Sequence, residues 1–523
     1  MRRRSFFASL GLLASAVSTR NASALPSNMA RADATAAAPD PASAVRTSRH
    51  YLERIAALDR QGPELRSIIE LNPDALQIAA ALDAERAAGT LRGPLHGMPI
   101  VVKDNIATGD RMATSAGSLA LDGVKATRDA HLIERLRASG GVILGKTNLS
   151  EWANIRSSRS TSGWSGRGGL SRNPYALDRS TSGSSSGSAA AVAANLTRMA
   201  IGTETDGSIV SPSSIMGVVG LKPTVGRISR DGIIPISHTQ DTPGPIARSV
   251  SEAALLLAAL AGPDPRDPAT LGAPAPDDYL AALDKNALRG ARIGVAREFF
   301  TGHDEIDERI EYALAKLVLQ GAELVDPIDL PKVGYENEEQ AVLLHEFKHD
   351  LPLWLATFAP HAPIRTLADV IAFNETHRDR EMPYFGQELL IQAQALGGLD
   401  SEVYVQALAA CRKGSREEGI DRAIRKHRLD AIVAPTGGTA WLTDFINGDS
   451  SGDGFSTPAA VAGYPHLTVP AGLVRGLPIG LSFVGPAWSE ARLLALGYAF
   501  EQATQWREEP QFIKQSSIPP VRV

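Results

Sequence analysis

The sequence predicts an α/β fold with a largely parallel or mixed β-sheet. Short apolar runs, of the kind that forms buried strands, alternate along the chain with segments of helical periodicity. A chain that alternates such strands with amphipathic helices covers its sheet with those helices, which is the arrangement of the α/β class. The composition agrees, since 43% of the residues are hydrophobic and 21% are charged, as in a globular protein.

The elements follow one another from the first periodic segment onward. Helical periodicity begins with Tyr51, Ile55 and Leu58, resumes over residues 76–88 and stops at Gly89, a residue type that commonly ends helices. The later segments alternate in type. Predicted strands cover residues 99–102, 142–144, 293–295, 429–434, 467–471 and 479–484, and predicted helices cover residues 130–138, 310–319 and 489–503.

Two stretches depart from this alternation. Residues 333–426 have an almost wholly helical pattern, which indicates an insertion or a cap. Residues 447–454, NGDSSGDG, are typical of a mobile loop, and turn formation explains their acids better than calcium binding does. The length of 523 residues suggests about three domains. No linker divides residues 95–502, however, so we predict one domain over residues 44–510 and a C-terminal tail over residues 511–523.

The first 24 residues are typical of an export signal. Arginines at positions 2–4 precede an apolar run over residues 6–17, and the small residues at positions 22–24 suit a cleavage site. The order of arginines and phenylalanines resembles a twin-arginine signal, which predicts export to the periplasm in the folded state. A general secretory signal or a basic, disordered N-terminus is the alternative. Residues 25–43, mostly Ala, Pro, Ser and Asp, predict a linker.

The chain that follows this signal is acidic. The signal contains four arginines and no acid, so its removal changes the formal net charge from −5 to −9. An acidic surface argues against nucleic acid as a partner. No apolar run approaches the roughly 20 residues of a membrane-spanning helix. The single cysteine, Cys411, can form no internal disulfide, and its Ala-rich helical surroundings predict packing rather than nucleophilic chemistry.

The stretch with the strongest chemical character covers residues 180–208. Its sequence, STSGSSSGSAAAVAANLTRMAIGTETDGS, concentrates serines and glycines, which bury little apolar area. Ordinary packing does not explain that concentration. We therefore expect backbone N–H groups that face a ligand, with nucleophilic serines among them.

Two short motifs offer alternative sites. Residues 183–187 fit GxSxG with Ser185 as the nucleophile, but that elbow needs a strand directly before it, and residues 171–182 are rich in turn formers. Residues 345–349, HEFKH, fit the HExxH zinc motif with His345 and His349 as ligands. No third ligand is marked at a suitable spacing, so we expect this segment to be a solvated helix face.

Three lysines adjoin predicted strands or turns, namely Lys103, Lys146 and Lys222. A lysine at the end of a buried strand can lose its charge by desolvation and act as a base. Each of the three, taken singly, is more often a surface lysine with a buried stem. The residues alone leave the choice among them open.

Several motifs together resemble the amidase signature family. Residues 182–188 are similar to its GGSSGGS stretch, residues 202–212 to GTDTGGSIRxP and residues 220–224 to GLKPT, and Lys103 precedes Asp-Asn as the family's lysine does. The resemblance covers about residues 95–502. It implies the amidase signature fold, a central mixed β-sheet flanked by helices on both faces, and an enzyme that hydrolyses carboxamides without a cofactor or metal.

The resemblance also assigns roles to individual residues. It makes Ser208 the nucleophile, Ser184 the bridging serine, which follows a cis peptide bond, and Lys103 the base. The two serines are 24 positions apart in the sequence, as in the family. The implied oxyanion hole consists of the backbone N–H groups of Thr205, Asp206, Gly207 and Ser208.

Three positions depart from the family pattern. Glu204 replaces an Asp, Asp206 a Gly and Val210 an Arg, so the acid at position 204 lacks its usual Arg partner. Asp206 adds a carboxylate beside the nucleophile. We expect it to disfavour a free C-terminal carboxylate and so to help release the acid product.

Other residues near these motifs receive structural interpretations. Asp241 and Arg248 are expected to form a structural pair or a turn. Trp164 suits either the substrate cleft or packing. Turn and cap roles are expected for Ser185, Ser186 and Ser188.

The amino-acid sequences of several loops narrow the expected class of substrate. Residues 150–154, 163–165, 205–208 and 229–235 resemble a bacterial subgroup of the family that removes the C-terminal amide of peptides. Small aliphatic or aryl amides are the alternative substrates. The intact triad disfavours a catalytically silent peptide-binding protein, and the export signal and acidic charge disfavour an amidotransferase subunit that handles charged transfer RNA.

Overall fold

A mixed β-sheet of eleven strands forms the centre of the protein. The computed structural model describes residues 42–331, 335–452 and 454–515. A separate ribbon consists of β4 (Trp164–Ser165) and β5 (Gly169–Leu170). The strands of the main sheet are β1 (Ile68–Leu71), β2 (Pro99–Lys103), β3 (Val142–Thr147), β6 (Met199–Glu204), β7 (Val219–Lys222), β8 (Thr242–Ala247), β9 (Arg292–Val295), β10 (Glu323–Val325), β11 (Ala431–Pro435), β12 (His466–Val474) and β13 (Leu477–Val484).

The main sheet combines parallel and antiparallel pairs. Its strand order is β1-β3-β2-β6-β8-β7-β12-β13-β11-β9-β10. Strand β2 runs parallel to both β3 and β6, and β9 runs parallel to both β11 and β10. The other neighbouring strands are antiparallel. The predicted α/β class with a mixed sheet is therefore confirmed.

Helices surround this sheet. Several begin at a side-chain cap, as where the Ser249 hydroxyl accepts the N–H of Glu252. The α-helices of the described residues are α1 (Ala44–Arg54), α2 (Ala75–Ala87), α3 (His131–Ala138), α4 (Ser186–Ala193), α5 (Val210–Ile215), α6 (Val250–Leu260), α7 (Asp304–Leu319), α8 (Glu336–Phe358), α9 (Leu367–Thr376), α10 (Arg378–Glu381), α11 (Glu388–Ala395), α12 (Glu402–Arg412), α13 (Asp421–His427), α14 (Thr457–Ala462) and α15 (Glu490–Thr504). Among them, no helix combines the length and apolarity needed to cross a membrane.

Both faces of the sheet are buried under helices. In β2, Ile100 and Val102 belong to a core that contains residues of α3, α6, α7 and α15, whereas Val101 belongs to a second core with residues of α1, α2 and α4. This alternation is the period-2 pattern of a strand. Because both faces are apolar, the strand reads as a continuous apolar run. The implied placement of helices on both faces is thus confirmed.

The predicted strands all overlap observed strands, but five strands of the main sheet were not predicted: β1, β6, β7, β8 and β10. Strand β8 shows why, because Pro243 and Pro245 interrupt its pattern and proline usually marks a sheet edge. This strand nevertheless lies between β6 and β7. Its pairing with β7 is confined to Ile246 and Ala247, so the prolines need no N–H on that side.

The helical segment predicted over residues 333–426 is confirmed where it is described. Helices α8 to α12 occupy most of it. It also contributes to the main core, since Phe347 and Trp354 are buried and the Phe347 ring meets the edge of Trp152 at a centroid distance of 6.3 Å. The predicted export signal, nearly all of the linker and the tail beyond residue 515 lie outside the described residues.

Candidate active site

Lys103 is the last residue of β2, and its side chain is buried at the boundary between β2 and β6. Its Nζ is 2.7 Å from the Ser184 Oγ, 2.9 Å from the Thr203 Oγ1 and 3.1 Å from the Thr203 carbonyl oxygen. Asn105, two residues further on, donates to the same Thr203 Oγ1 at 2.9 Å. The parallel pairing of β2 with β6 therefore places Lys103 beside Thr203, and from there its amine also contacts the Ser184 hydroxyl.

Burial sets the protonation of Lys103. Desolvation lowers the pKa of its ammonium from the ordinary range to about 7, although the negative charges of Asp241 and Glu204 oppose this shift. An appreciable fraction of the side chain is consequently a neutral amine near neutral pH. A neutral amine has a lone pair, which a base requires.

Ser184 is fully buried and follows a cis Gly183–Ser184 peptide bond, as the family resemblance implied. Its carbonyl oxygen accepts the N–H of Ser150 at 3.2 Å. Gly183 is required by close approach, because a Cβ there would lie 2.1 Å from the Ser150 Oγ. The loop thus holds the Ser184 hydroxyl against Lys103.

Ser208 lies in the turn between β6 and α5 and is 7% exposed. Its carbonyl oxygen accepts the N–H of Ser185 at 3.1 Å, which joins this turn to the loop of Ser184. Gly207 has a φ of 75°, a conformation that glycine adopts without strain. The structure therefore brings Lys103, Ser184 and the Ser208 segment together from three separate parts of the chain.

The turn before α5 exposes backbone donors. Within the described part of the chain, no protein acceptor takes the N–H groups of Asp206, Gly207 or Ser208. The next two N–H groups, of Ile209 and Val210, are taken at 2.7 and 3.0 Å by the Glu204 Oε2. Three successive free donors can bind the oxygen of a polarised carbonyl. Thr205, the fourth predicted member, directs its hydroxyl to the Asp241 carboxylate.

Backbone N–H groups take the place of the arginine that Val210 replaces. Glu204 pairs with the two backbone N–H groups at the start of α5 in place of an arginine. Burial raises the pKa of Glu204, and the nearby charge of the buried Lys222 opposes this shift. The acid keeps partners, although the Asp–Arg pair of the family is absent as expected.

A cavity of about 340 Å³ opens beside these loops. Asp206 lines it, and its Oδ2 accepts the Thr457 hydroxyl at 2.7 Å. Burial raises the pKa of the Asp206 carboxyl. The other lining residues are Asn154, Ser162, Ser182, Gly183, Gly207, Ser211, Ser214, Ile215, Thr436, Gly437, Gly438, Trp441, Asp449, Ser451, Gly452, Gly454, Ser456 and Thr457.

The loop over residues 447–454 contributes to this cavity through Asp449. The Asp449 carboxylate accepts the N–H of Ser162 at 3.1 Å and the indole N–H of Trp441 at 3.0 Å. These contacts give Asp449 a structural role in the cavity wall, through partners outside the loop rather than through turn formation.

Some sequence expectations about lysines are wrong. Lys103, Lys146 and Lys222 are all fully buried, so none of them extends to the surface. Lys146 donates to the Ile106 carbonyl oxygen at 2.6 Å and to the Thr114 hydroxyl at 3.0 Å, away from Ser184. Apolar pattern alone could not distinguish these lysines, since all three adjoin apolar runs; the family resemblance did.

The HExxH segment does not converge on one site, and the expectation of a solvated helix face is also wrong. His345 is buried, with Nδ1 2.7 Å from the Ala341 carbonyl oxygen and Nε2 3.3 Å from the Ser401 Oγ. Glu346 is buried and accepts the Tyr404 hydroxyl at 2.7 Å. His349 is exposed and contacts Asp350.

The remaining structural interpretations have mixed outcomes. Asp241 forms a turn in which its carboxylate accepts the N–H groups of Ile236 and Ser237, but it does not pair with Arg248, which approaches Glu252 instead. Trp164 packs against Phe385 and the Arg156 guanidinium rather than lining the cavity. Packing is likewise confirmed for Cys411, which is buried.

Three serines in the loop stabilise it, as expected. Ser185 occupies the position before α4 and donates to the Thr203 carbonyl oxygen at 3.0 Å. Ser186 donates to the Ser182 carbonyl oxygen at 2.7 Å, and the Ser188 hydroxyl lies 2.7 Å from that of Thr147. No strand precedes Ser185 directly, so a nucleophile elbow is excluded.

Comparison with known proteins agrees with this geometry. The family model described as Amidase matches residues 46–494. The chain therefore belongs to the amidase signature family. It is an amidase, a hydrolase that acts on amide C–N bonds.

Individual relatives and solved structures are similar over most of their length. An Arabidopsis thaliana protein described as a probable amidase is 42% identical over 475 residues, with 88% of this chain and 87% of that protein covered. The A subunit of glutamyl-tRNA(Gln) amidotransferase from Pseudomonas syringae pv. syringae is 37% identical over 488 residues, with 88% and 94% covered. Native peptide amidase from Stenotrophomonas maltophilia is 54% identical with a TM-score of 0.86, covering 90% of this chain and 95% of that chain.

Proposed function

We propose that this amidase removes the C-terminal amide of peptides through Ser208, Ser184 and Lys103. The observation that carries the catalytic part is the 2.7 Å distance between the Lys103 Nζ and the Ser184 Oγ in a fully buried setting. A base of lowered pKa that contacts a serine is the arrangement that activates a hydroxyl nucleophile.

The contacts of Lys103 support a specific direction of proton transfer. A neutral amine has two N–H groups and one lone pair. The two oxygens of Thr203 accept the two N–H groups, which leaves the lone pair for the proton of the Ser184 hydroxyl. Ser184 then removes the proton of Ser208 as Ser208 attacks the amide carbon.

The acyl-enzyme forms when the C–N bond breaks. Ser184 passes a proton to the departing nitrogen, which leaves as ammonia, and Lys103 reprotonates Ser184. Water then attacks the ester carbon and gives up a proton through Ser184 to Lys103. As the ester C–O bond breaks, the proton returns from Lys103 through Ser184 to the Ser208 oxygen, which releases the peptide acid and restores the Ser208 hydroxyl. The free N–H groups of Asp206, Gly207 and Ser208 stabilise the oxyanion in both steps, and loss of one such donor costs about 3 to 4 kcal/mol in measured hydrolases.

Similarity supports a peptide amide as the substrate, and charge favours a neutral carboxamide over a free carboxylate. Peptide amidase from Stenotrophomonas maltophilia is 54% identical over 90% of this chain and has a similar structure. The carboxylate of Asp206 lines the cavity beside the nucleophile, and a neutral carboxamide meets less repulsion there than a free carboxylate does.

Ammonia release from matched substrates tests this function. A panel of peptide amides, small aliphatic and aryl amides, and the corresponding free peptides is incubated with the enzyme and with Ser208→Ala. We expect ammonia from the peptide amides, little from small amides, and none with Ser208→Ala. Activity that survives in Ser208→Ala but disappears with EDTA would refute the triad.

We also propose that the protein is exported by the twin-arginine route. The support is the sequence of residues 2–24, which lie outside the described residues. Replacing Arg3 and Arg4 by lysine in the full chain should retain the protein in the cytoplasm, whereas unchanged periplasmic recovery in cell fractionation would reject this route.

A further inference from the structure

Two histidines and an aspartate outside the proposed active site converge at the surface. His238 belongs to the loop over residues 236–241, whereas His349 and Asp350 are consecutive in α8. The His238 Nδ1 is 2.8 Å from the Asp350 Oδ2, and the His349 Nδ1 is 2.7 Å from the Asp350 Oδ1. One potential ligand atom from each of the three residues lies within 4.8 Å of the others.

We propose that His238, His349 and Asp350 form a binding site for a divalent cation of the zinc class. Two imidazole nitrogens and a carboxylate oxygen are ligands that Zn²⁺ prefers, and an exposed site leaves a fourth position for water. Magnesium and calcium prefer all-oxygen sites, so this ligand set discriminates against them.

Without a cation, each Nδ1 donates its proton to the Asp350 carboxylate. A cation that takes the place of these protons would bind the Nδ1 lone pairs, and each neutral ring would then carry its proton on Nε2. The His238 Nε2 lies 3.4 Å from the Glu346 Oε1, which suits this tautomer. Glu346 is fixed by Tyr404 and by the N–H of Thr239 at 3.1 Å. The buried Glu346 carboxylate thus orients the His238 ring through its Nε2, an arrangement that is common for metal-binding histidines.

The local charge is compatible with a cation. The side chain of Arg230 lies near the loop, where it donates to the His238 carbonyl oxygen. Its guanidinium is paired with Asp267, which offsets the positive charge. The carboxylates of Asp350 and Glu346 both approach His238.

This cluster uses only part of the HExxH motif. His349 is the second histidine of that motif and Glu346 is its glutamate. His345 is unsuited to the site, because both of its nitrogens have other partners, the Ala341 carbonyl oxygen and the Ser401 hydroxyl. His238, which is more than 100 positions upstream in the sequence, takes its place.

A cation at this site would join the loop over residues 236–241 to α8. The same loop ends at Asp241, whose carboxylate accepts the Thr205 hydroxyl beside the predicted oxyanion hole. Binding to the folded state alone stabilises that state by mass action. Zinc should therefore raise the thermal stability of the protein.

Zinc binding by the full enzyme, purified without a polyhistidine tag and treated with EDTA, tests the site. Titration with zinc sulfate in a calorimeter should give one site per chain, and thermal unfolding should shift upward with zinc. The variants His238→Asn, His349→Asn and Asp350→Asn should each weaken binding by about tenfold or more, as expected when a ligand or its support is lost. Magnesium should give neither effect.

A matched control separates this site from other surface histidines. His361 is exposed and stands outside the cluster, so His361→Asn should bind zinc like the unaltered enzyme. The proposal is wrong if the unaltered enzyme binds no more zinc than the double variant His238→Asn/His349→Asn, or if His361→Asn weakens binding equally. In crystals with zinc, anomalous scattering should place the ion about 2.0–2.2 Å from its ligands.

Discussion

The Lys103 amine and the Ser184 hydroxyl are 2.7 Å apart, although 81 positions separate them in the sequence. Lys103 is the last residue of the buried strand β2, whereas Ser184 lies in the loop that precedes α4. Thr203, on the adjacent strand β6, fixes the amine through two further contacts. This geometry places the Ser184 hydroxyl where it can give its proton to the neutral amine, which leads to the first prediction.

Replacement of Lys103 by methionine should abolish most of the activity while preserving the volume of the side chain. Because a positioned base contributes about 10²–10⁴-fold to the rate, kcat should fall by at least about a hundredfold. Ammonia release from a peptide amide measures the effect. Lys146→Met is the matched control, since Lys146 is equally buried but contacts Ile106 and Thr114. This variant should lower the free energy of unfolding but should not cause the hundredfold loss of kcat.

The activity should rise with pH through about pH 7. The pKa of Lys103 is lowered to about 7 by burial, and only the neutral amine accepts a proton. Below that pKa the neutral fraction falls about tenfold for each pH unit, so kcat/KM should do the same and should level off above it. A profile that is flat from about pH 5.5 to about pH 8.5 would contradict a role for Lys103 as the base.

Asp241→Asn should shift this rise to lower pH. The negative charge of Asp241 raises the pKa of Lys103, so its removal lowers that pKa further. The amide can keep the fold, because its oxygen can accept the N–H groups of Ile236 and Ser237 while its NH₂ faces the Thr205 hydroxyl. The pH dependence of kcat/KM, compared with that of the unaltered enzyme, measures the shift. A shift to higher pH would be inconsistent with this electrostatic coupling.

Glu204 should prove structural through its backbone contacts. In Glu204→Ala, the N–H groups of Ile209 and Val210 lose their acceptor, at a cost of about 1–3 kcal/mol for each unsatisfied group. Glu204→Gln retains an oxygen for both and should unfold close to the unaltered enzyme. Urea denaturation compares the two variants. Equal loss of stability in both would show that the charge of Glu204, rather than these hydrogen bonds, stabilises the turn.

Some strands near the candidate site could be predicted from the sequence, and others could not. Apolar runs revealed β2 and β3 because both faces of these strands are buried. Strands β7 and β8 escaped prediction, since glycine and proline replace the apolar residues that mark a strand. The family resemblance supplied Lys103, Ser184 and Ser208 as candidate residues, and the structure brings their segments together.

Contacts between distant segments could not be predicted. Thr203 faces Lys103 because β6 pairs with β2. The periodicity within either strand does not predict which strands are paired. Asp241 accepts the Thr205 hydroxyl, and of the two roles expected for Asp241, a turn or a pair with Arg248, only the turn is formed. His238 meets His349 only because α8 packs over the loop of residues 236–241. Local pattern therefore predicts elements, whereas the partners of charged groups depend on the tertiary fold.

Asp206→Asn should increase inhibition by the peptide acid product. The Asp206 carboxyl lines the cavity, so a product carboxylate beside it meets a second negative charge when Asp206 is ionised. Burial raises the pKa of Asp206, so the repulsion is fullest in alkaline solution, where the acid is ionised. The inhibition constant of the free peptide, measured at about pH 8 against the corresponding amide, should fall by about tenfold, equivalent to 1.4 kcal/mol.

Asparagine retains an oxygen for the Thr457 hydroxyl, so the cavity wall is preserved. Asp449→Asn serves as the control, because the Asp449 carboxylate already accepts the N–H of Ser162 and the indole N–H of Trp441. Unchanged product inhibition in Asp206→Asn would refute a role for this carboxylate in product release.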